Sequence, residues 1–362
     1  MKVHVSKNQL ADVLGHVERI VPARSSNPGL SLVRLKLSED SLIFSGSNMD
    51  MDIEARVRAD VVGQGEVAVP AQVFGQVVRA LPGDQVELGF DDKEMEIVSG
   101  SYSTRLQLVE ASQAPTLTFT EDFAGELDAK ELVAALSHVR YAAATADYQA
   151  IFRGVKLELA DGRTRAIASD GFRLAYYHLT STSGLEANLV LPARSVEELV
   201  RILDEGTVRM AVGEGQLMLA TPSTRLNVKL MEGSFPDYER VIPSSFPLSV
   251  TTEAKGLSET VSRVALMADR TTNNRVDMFV KDGTMQITAE GAFGRAQEAV
   301  AVRQEGSEPE IAVAFNAKYL VDAVSPLSGQ ICISLSRETA PSVLVDPTQP
   351  GYLAMVVPLR TG

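Results

Sequence analysis

The sequence predicts an α+β fold of three tandem domains, each made of two strand–helix–strands halves. Helical apolar patterns recur about every 120 residues, and strand-like segments with turn signals follow them. The chain has 362 residues, a length that suits two to four domains of ordinary size. We therefore expect domains at residues 1–118, 119–246 and 247–362.

The first helix of each repeat carries apolar residues at the i, i+3, i+4, i+7 spacing of a buried helical face. Leu10, Leu132 and Leu257 take equivalent places in these patterns, 122 and 125 positions apart. The patterns predict helices over 6–21, 128–143 and 253–269.

A second set of helices follows at the same period. Val69-Pro70-Ala71 and Leu191-Pro192-Ala193 lie 122 positions apart, and proline suits the opening of a helix, where no N–H partner is needed. Ala314-Phe315-Asn316 begins a looser third copy. These motifs predict helices over 70–81, 192–203 and 314–325.

Alternating segments after each first helix predict half-buried strands. Glu39-Asp40, Asp161-Gly162 and Asp282-Gly283 end these segments as hairpin turns do. In addition, residues 103–106 recur as residues 223–226 in the order Ser-Thr-Arg-Leu, 120 positions later. The repeat therefore extends to the second half of each domain.

Bulk composition excludes several classes of protein. No apolar run approaches the roughly 20 residues of a membrane span, and the N-terminus lacks the apolar core of a secretory signal. The single cysteine, Cys332, cannot form an internal disulfide and is expected in the core. We expect a cytoplasmic protein with no membrane partner.

Catalytic and metal-binding motifs are missing from the sequence. There is no P-loop, no His-Glu-x-x-His, and no zinc-ligand spacing among the four histidines and one cysteine. Gly63-Gln64-Gly65-Glu66-Val67-Ala68 matches a dinucleotide-binding pattern, but a tight hairpin turn before a strand explains it better, since the helix begins too late to face a phosphate. We expect no catalytic residue, no cofactor and no metal.

The segment Ser169-Asp170-Gly171-Phe172-Arg173 has residues of a nucleophilic site but no histidine partner in a recognisable arrangement. Asp170-Gly171 is typical of a turn, and Phe172 between glycine and arginine could line a groove.

A formal net charge of −13 speaks against an open-faced nucleic-acid binder. The charge is unevenly spread, however: the six predicted helices hold ten basic and ten acidic residues, so the excess lies in the strands and loops. An ordinary solvated surface explains this count as well as a helical layer that tolerates phosphate.

Over its full length the sequence resembles the beta subunit of bacterial DNA polymerase III, the sliding clamp family. The motifs that carry the resemblance, beside the three-fold repeat, are Met1-Lys2-Val3, Val69-Pro70-Ala71, Ala168-Ser169-Asp170-Gly171-Phe172-Arg173-Leu174-Ala175, Phe235-Pro236-Asp237-Tyr238 and Pro358-Leu359-Arg360. The resemblance implies a non-catalytic processivity factor of a DNA-directed DNA polymerase, acting in DNA replication. It implies a head-to-tail homodimer closed into a ring, with helices inside and sheets outside, around duplex DNA of any sequence.

The resemblance also implies three sets of contact residues. At the dimer interface, domain one of one copy would meet domain three of the other through Val77, Arg105, Leu106, Leu108, Leu266, Met267 and Glu298. DNA would contact Arg24 and Gln149. Polymerase subunits and the clamp loader would dock short linear peptides in a groove between domains two and three, formed by Phe152, Ser169, Gly171, Phe172, Arg173, Leu174, Pro236, Arg240, Val241, Asn316, Tyr319, Ser342, Met355, Val357, Leu359 and Arg360.

This sequence departs from the family pattern at two groove positions. Phe172 stands where histidine is common, and Val357 stands where methionine is common, so the width of the groove and the preferred peptide could differ. Two alternatives remain open from the residues: an enzyme of three related domains that acts on carbohydrates or nucleotides, and a scaffold that binds partners without DNA.

Overall fold

The computed structural model describes residues 1–146, 150–160, 162–204, 206–337 and 340–360. These residues form two compact units. The first unit contains residues 1–130, 183–185 and 197–230. The second contains residues 131–182, 186–196 and 231–362, apart from those outside the described ranges.

Six α-helices are described, and all six correspond to predicted ones. They are α1 (Lys7–Ile20), α2 (Ala71–Ala80), α3 (Ala129–Val139), α4 (Ala193–Ile202), α5 (Ala254–Val264) and α6 (Ala317–Val324). No helix in the described ranges has the length and apolar character needed to cross a membrane.

Strands make up most of the remaining regular structure. The first nine are β1 (Lys2–Ser6), β2 (Leu32–Ser38), β3 (Ser41–Ser47), β4 (Met51–Arg58), β5 (Asp60–Val62), β6 (Gly65–Pro70), β7 (Gln85–Phe90), β8 (Glu94–Ser99) and β9 (Tyr102–Gln107). The next eight are β10 (Gly125–Asp128), β11 (Gly154–Ala160), β12 (Arg163–Ser169), β13 (Arg173–His178), β14 (Ala187–Pro192), β15 (Thr207–Gly213), β16 (Gln216–Ala220) and β17 (Thr224–Lys229). The last nine are β18 (Leu248–Glu253), β19 (Arg275–Lys281), β20 (Thr284–Gly291), β21 (Gly294–Ala301), β22 (Arg303–Gly306), β23 (Glu310–Asn316), β24 (Gln330–Leu335), β25 (Ser342–Asp346) and β26 (Gln349–Val356).

The first unit has two antiparallel sheets. Their strand orders are β5-β1-β7-β8-β9 and β10-β15-β16-β17-β4-β3-β2-β6. Helix α1 packs on α2 and on β4, and its buried face presents Leu10, Leu14 and Val17 to the core. The rings of Phe44 and Phe74 stack there with centroids 6.3 Å apart. The apolar helical spacing thus gives the core that the sequence predicts.

The second unit repeats this plan with sheets of order β14-β11-β12-β13-β26-β25-β24-β18-β22 and β21-β20-β19-β23. Helix α5 packs on α6 and on β20 and β21. Leu257 and Val261 of α5 and Leu320 of α6 are buried in this core.

Two of the four sheets continue from one sequence repeat into the next. Strand β17 pairs antiparallel with β4, so that Leu226 lies opposite Ile53. Strand β26 pairs antiparallel with β13, so that Met355 lies opposite Leu174. By contrast β9 and β21, which take the equivalent places in the first and third repeats, are edge strands of their sheets. Among the described strands, each pairs on one side only.

Helix ends differ from the predicted ones for local reasons. Helix α3 was expected to reach residue 143 and α5 residue 269, but both tighten into 3-10 turns, at Arg140–Ala142 and Ala265–Met267. Helix α6 was expected to begin at residue 314, but Ala314 and Phe315 belong to β23, and the Asn316 side chain caps the helix by accepting the Lys318 N–H.

The turn predictions are confirmed, with one correction. Glu39-Asp40 joins β2 to β3, and Asp282-Gly283 joins β19 to β20 with φ of 48° and 72°; Asp161 lies outside the described residues. Gly63 forms a turn with φ of 95°, and β6 follows it. The turn is not a hairpin, however, because β5 pairs with β1 and β6 pairs with β2.

Cys332, expected in the core, is only half-buried on β24. Burial raises the pKa of its thiol, which keeps it protonated at neutral pH.

Candidate functional site

The turn between β12 and β13 presents Phe172 to solvent. Ser169 lies opposite Leu174 in the two strands, and Gly171 adopts a left-handed φ of 87° that favours glycine. The Oδ1 atom of Asp170 accepts the amide N–H groups of Phe172 (2.9 Å) and Arg173 (3.0 Å). Phe172 is 55% exposed, so the turn holds an accessible aromatic ring on a fixed backbone.

Arg173, the next residue, is buried at 6% exposure. Its Nε donates to Asp170 Oδ2 at 3.0 Å, and its Nη1 donates to Asp322 Oδ2 of α6 at 2.6 Å. The guanidinium lies 4.6 Å from the ring centre of Tyr319 and 5.5 Å from that of Tyr141. Two carboxylates and two aromatic faces compensate the buried charge and tie the turn to α6.

An apolar cluster lies beside this turn. Ile167, Leu174, Tyr238, Val343 and Met355 form its buried part, and Phe235 packs against it. The ring of Phe152 meets that of Phe235 edge-on, with centroids 5.9 Å apart. The cluster thus brings three predicted groove residues, Phe152, Leu174 and Met355, into one region.

Tyr238 fixes the polar border of the cluster. Burial raises its pKa to about 12, so its hydroxyl stays protonated. That hydroxyl donates to Glu158 (3.1 Å) and accepts from Arg165 (2.9 Å). The motif Phe235-Pro236-Asp237-Tyr238 therefore supplies an apolar ring at one end and a hydrogen-bonded anchor at the other.

The C-terminal segment completes the region. The amide of Val357 donates to the carbonyl of Phe172 (2.9 Å), and that of Leu359 donates to the carbonyl of Ala314 (2.7 Å). The carbonyl of Arg360 accepts from Arg275 (3.2 Å). Residues 357–360 are thereby fixed beside the Phe172 turn and the end of β23, whose last residue is Asn316.

The sixteen predicted peptide-site residues fall into three groups by exposure. Exposed are Gly171, Phe172, Pro236, Arg240, Val241 and Arg360; half-buried are Phe152, Asn316, Tyr319, Val357 and Leu359; buried are Ser169, Arg173, Leu174, Ser342 and Met355. The five buried residues are inaccessible to a peptide and instead pack under the exposed side chains of the site. A charged substitution at Leu174 or Met355 would therefore test the fold before it tests binding.

Sequence reasoning missed the residues that hold the site together. Asp322 and Tyr141 contact Arg173, and Phe235 contacts Phe152. Asp322 is 149 positions from Arg173, so no local pattern connects them. The turn at Asp170-Gly171, by contrast, was predicted, since an Asx residue before glycine commonly accepts the next amides of a turn.

Of the two predicted DNA-contacting residues, only Arg24 lies among the described residues. Arg24 is exposed in the segment after α1, and within the described ranges it forms no ion pair. Gln149 lies outside the described residues.

The predicted dimer residues lie on both units. In the first, Val77, Leu106 and Leu108 are half-buried, and Arg105 pairs with Glu96 at 3.2 Å. In the second, Leu266 and Met267 are exposed, and Glu298 accepts from Arg263 at 2.5 Å. The Arg263 hydrogen bond lowers the pKa of Glu298, so Glu298 is charged at neutral pH but already has a partner.

The part of the chain that the structure describes contains no group of three or more His, Cys, Asp or Glu side chains placed to hold a metal ion.

Comparison with known families matches nearly the whole chain. Three models match in tandem: the DNA polymerase III beta subunit N-terminal domain at residues 1–118, its central domain at 126–237 and its C-terminal domain at 239–360. The beta sliding clamp of Caulobacter vibrioides is 28% identical over 375 residues, covering 99% of this chain and all of that protein.

Solved structures agree with the sequence comparison. The DNA polymerase III beta subunit of Thermotoga maritima superposes with a TM-score of 0.91 at 27% identity, with all of both chains covered. The beta sliding clamp of C. crescentus, solved with PEG at the region proposed for tethering the beta motif, superposes with a TM-score of 0.89 at 27% identity, again over both whole chains.

Proposed function

Because the chain belongs to the family of the DNA polymerase III beta subunit, we propose that it acts as a DNA sliding clamp. It catalyses no reaction, and it gives processivity by keeping polymerases on the DNA. The observation that carries this function is the tandem match of all three family domains over residues 1–118, 126–237 and 239–360. We place it in the cytoplasm, where the chromosome is copied.

The edge strands support a head-to-tail homodimer. In this chain β17 of the second repeat pairs with β4 of the first, and β26 of the third pairs with β13 of the second. Continuing the pattern, β9 of the first repeat requires β21 of a third repeat, and a second copy supplies it. An unpaired edge strand readily accepts another strand. Two such junctions close a ring of two copies, because the same heterologous contact is made twice.

The repeat also predicts the register of that junction. Within the chain Arg225 lies opposite Glu54 and Asn227 opposite Asp52. The β3–β4 and β20–β21 hairpins can be aligned, because Ser47↔Asp52 in the first and Glu290↔Arg295 in the third repeat are both pairs five positions apart. Residues 295 and 297 of the third repeat are therefore equivalent to residues 52 and 54 of the first. Residues 105 and 107 correspond to 225 and 227. We therefore expect Arg105 opposite Gln297 and Gln107 opposite Arg295.

A closed ring holds DNA by topology, so it needs few phosphate contacts. Each additional contact would increase affinity and salt dependence and would slow sliding. The six helices carry nine basic and seven acidic residues, in a chain with 34 basic and 47 acidic ones. Nearly neutral helices, together with Arg24 and Gln149 outside them as the DNA-contacting residues, suit weak contact with duplex DNA of any sequence.

The Phe172 turn, the cluster around Phe235 and residues 357–360 suit capture of short linear peptides. Exposed and half-buried apolar side chains supply anchors, and Arg240 and Arg360 supply a polar rim. The ligand reported for the C. crescentus clamp at its proposed tethering region is consistent with such a site in a relative. We propose that polymerase subunits and the clamp loader dock there.

Retention on DNA tests the ring. The protein is loaded onto nicked circular DNA by its clamp loader, and the bound fraction is measured after gel filtration, with and without linearisation of the DNA. A topological link predicts retention on the circle and loss from the linear form, because the ring slides off free ends. Equal loss from both forms would refute encirclement.

Substitution of Phe172 tests the peptide site. We expect Phe172→Ala to raise the Kd of a fluorescent peptide from the replicative polymerase by about tenfold, as removal of an exposed anchor does. Phe279→Ala is the matched control, since Phe279 is also an exposed phenylalanine of the second unit. Equal affinities of both variants and the original protein would show that the peptide binds elsewhere.

A further inference from the structure

One wall of the proposed peptide site is an irregular segment, residues 231–242, which we call the strap. At its start the amide of Met231 donates to the carbonyl of Val190 at 2.8 Å. Beyond that point, the backbone hydrogen bonds of the strap among the described residues are confined to its own last five residues. Its backbone therefore does not hold it against the sheet. Three exposed residues of the proposed site belong to the strap: Pro236, Arg240 and Val241.

The equivalent segments of the other two repeats are held through their backbones. Val109 and Leu359 take the place of Met231, because each donates its amide to the equivalent strand carbonyl. Arg34 donates to the carbonyls of two residues that follow Val109, at 2.9 and 3.0 Å. Arg275 donates to the carbonyl of the residue after Leu359, at 3.2 Å. Among the described residues, no side chain donates to a carbonyl of the strap, so the strap depends on contacts between side chains.

Arg165 of β12 makes the polar contact with the strap. Its Nη1 donates to the hydroxyl of Tyr238 at 2.9 Å and to Oε1 of Glu239 at 2.6 Å. The Arg165 side chain is only 17% exposed, and its guanidinium carbon lies 5.8 Å from the ring centre of Tyr176. A charged donor strengthens hydrogen bonds, and so does shielding from water. Arg165 thus lies under the strap and holds two adjacent residues of it.

A second attachment is apolar. The ring of Phe235 packs against the buried cluster beside the Phe172 turn and fixes the first half of the strap. Pro236 lies between this attachment and the one made by Arg165, and Arg240 directly follows the residues that Arg165 holds. The positions of these exposed side chains therefore depend on both attachments.

From these contacts we propose that Arg165 is a positioning residue of the peptide site. It sets the affinity for a peptide without touching the peptide, because it holds the strap in the conformation that binds. The inference rests on the proposed peptide site and adds a residue to it that neither the motifs nor the resemblance indicates. A loop that is ordered before binding loses less entropy when the peptide docks. A freed strap would therefore bind more weakly even with every contact residue kept.

Peptide affinity tests the proposal. We expect Arg165→Met, which keeps the apolar stem and removes the charge, to raise the Kd of the fluorescent polymerase peptide by about tenfold. Arg165→Lys keeps the charge but not the planar guanidinium, and should raise the Kd by only about threefold. Arg225→Met is the matched control, since Arg225 is also a strand arginine that binds a loop carboxylate, Glu121, at 2.6 Å. It contacts no strap residue, and its loss should leave the Kd unchanged.

Digestion with trypsin separates positioning from general stabilisation. The bond after Arg240 lies in the strap, and the Arg240 side chain is 85% exposed. We expect Arg165→Met to speed cleavage at this bond by about tenfold, because cleavage follows local opening. Cleavage after the other lysines and arginines of the second unit should keep its rate. Mass spectrometry identifies the bonds, and circular dichroism melting compares the stability of the variants. If Arg165→Met does not fold, Arg165→Lys carries both measurements.

The outcomes separate this role from the peptide site on which it rests. If Arg165→Met binds the peptide as well as the original protein does, the role of Arg165 is overturned and the site stands. Faster cleavage at all bonds alike, or weaker binding without faster cleavage after Arg240, also overturns it, since neither result comes from the strap. An original protein that does not bind the peptide overturns both.

Discussion

Phe172 and Arg173 are neighbours in the chain with opposite surroundings. Phe172 points its ring to solvent, whereas Arg173 is enclosed by Asp170, Asp322 and two aromatic rings. The exposed residue can contact a partner directly. The buried one acts through it, because the turn that carries Phe172 is fixed to α6 by Arg173.

Removal of the Arg173 charge should destabilise the second unit. We expect Arg173→Met to lower the free energy of unfolding by about 3 kcal/mol, since it leaves the carboxylates of Asp170 and Asp322 without their shared partner. Urea denaturation followed by circular dichroism measures the change. Arg173→Lys is the conservative control and should lose less, because it keeps the charge but not the two-sided hydrogen bonding. Equal stability of Arg173→Met and the original protein would show that the pair contributes nothing.

Prediction at the residue scale succeeds where the signal is local. The Asp170-Gly171 turn and the accessibility of Phe172 follow from adjacent residues. The partners of Arg173 do not, because α6 approaches the turn only in the folded chain. The burial of Leu174 and Met355 was not predicted either, because it arises from the pairing of β13 with β26, which are far apart in the chain.

Among the elements, three equivalent hairpins compare directly. Asn48 and Asp170 each accept the two amides that follow at i+2 and i+3, with left-handed backbone at Met49 and Gly171. In the third repeat the strands stay paired up to Gly291 and Gly294, so only Ala292 and Phe293 remain in the turn. The tighter hairpin brings Phe293 to its tip.

Gly291 should be intolerant of a side chain. We expect Gly291→Ala to cost about 1–3 kcal/mol, because its Cβ would overlap the Met267 carbonyl and push the hairpin away. Gly256→Ala, in the first turn of α5 with only an ordinary contact to Glu253, should instead stabilise by roughly 0.4–1 kcal/mol, because alanine narrows the conformations of the unfolded chain. Thermal melting of both variants gives the comparison. A loss of stability no greater for Gly291→Ala than for Gly256→Ala would contradict the close packing.

The spacing of apolar residues predicted all six of the described α-helices. It did not predict the residues at which they end. The apolar stripe of α5 continues into Ala265–Met267, yet the backbone there is a 3-10 turn. The spacing of apolar residues indicates which side chains face the core. The hydrogen-bond pattern of the last helical turn depends instead on the residues that pack against that turn.

At the scale of the whole molecule, three repeats were predictable and the continuity of their sheets was not. Each repeat seen in sequence has its own strands and turns, and nothing local indicates that β17 pairs with β4. Such pairing depends on residues far apart in the chain, as Asn227 opposite Asp52 illustrates. The dimer contacts implied by resemblance stay predictions, although the unpaired edges of β9 and β21 give them a structural reason.

The distribution of charge over the chain is a property of the whole molecule. The excess of acidic residues lies outside the six helices, which hold nine basic and seven acidic side chains. A net negative charge discourages non-specific adhesion to DNA, and in the proposed ring topology would replace affinity as the means of staying on the template.

The shared sheets make the middle repeat inseparable from its neighbours. Its strands β10 and β15 to β17 belong to a sheet with β2 to β4 and β6, and its strands β11 to β14 belong to one with β24 to β26. A fragment excised at residues 119–246 would keep its sequence signature and lose half of the hydrogen-bonding partners of β13 and β17. The repeats recognisable in the sequence are therefore not independent folding units. The middle repeat produced alone would expose the unpaired edges of β13 and β17, and the polypeptide would aggregate.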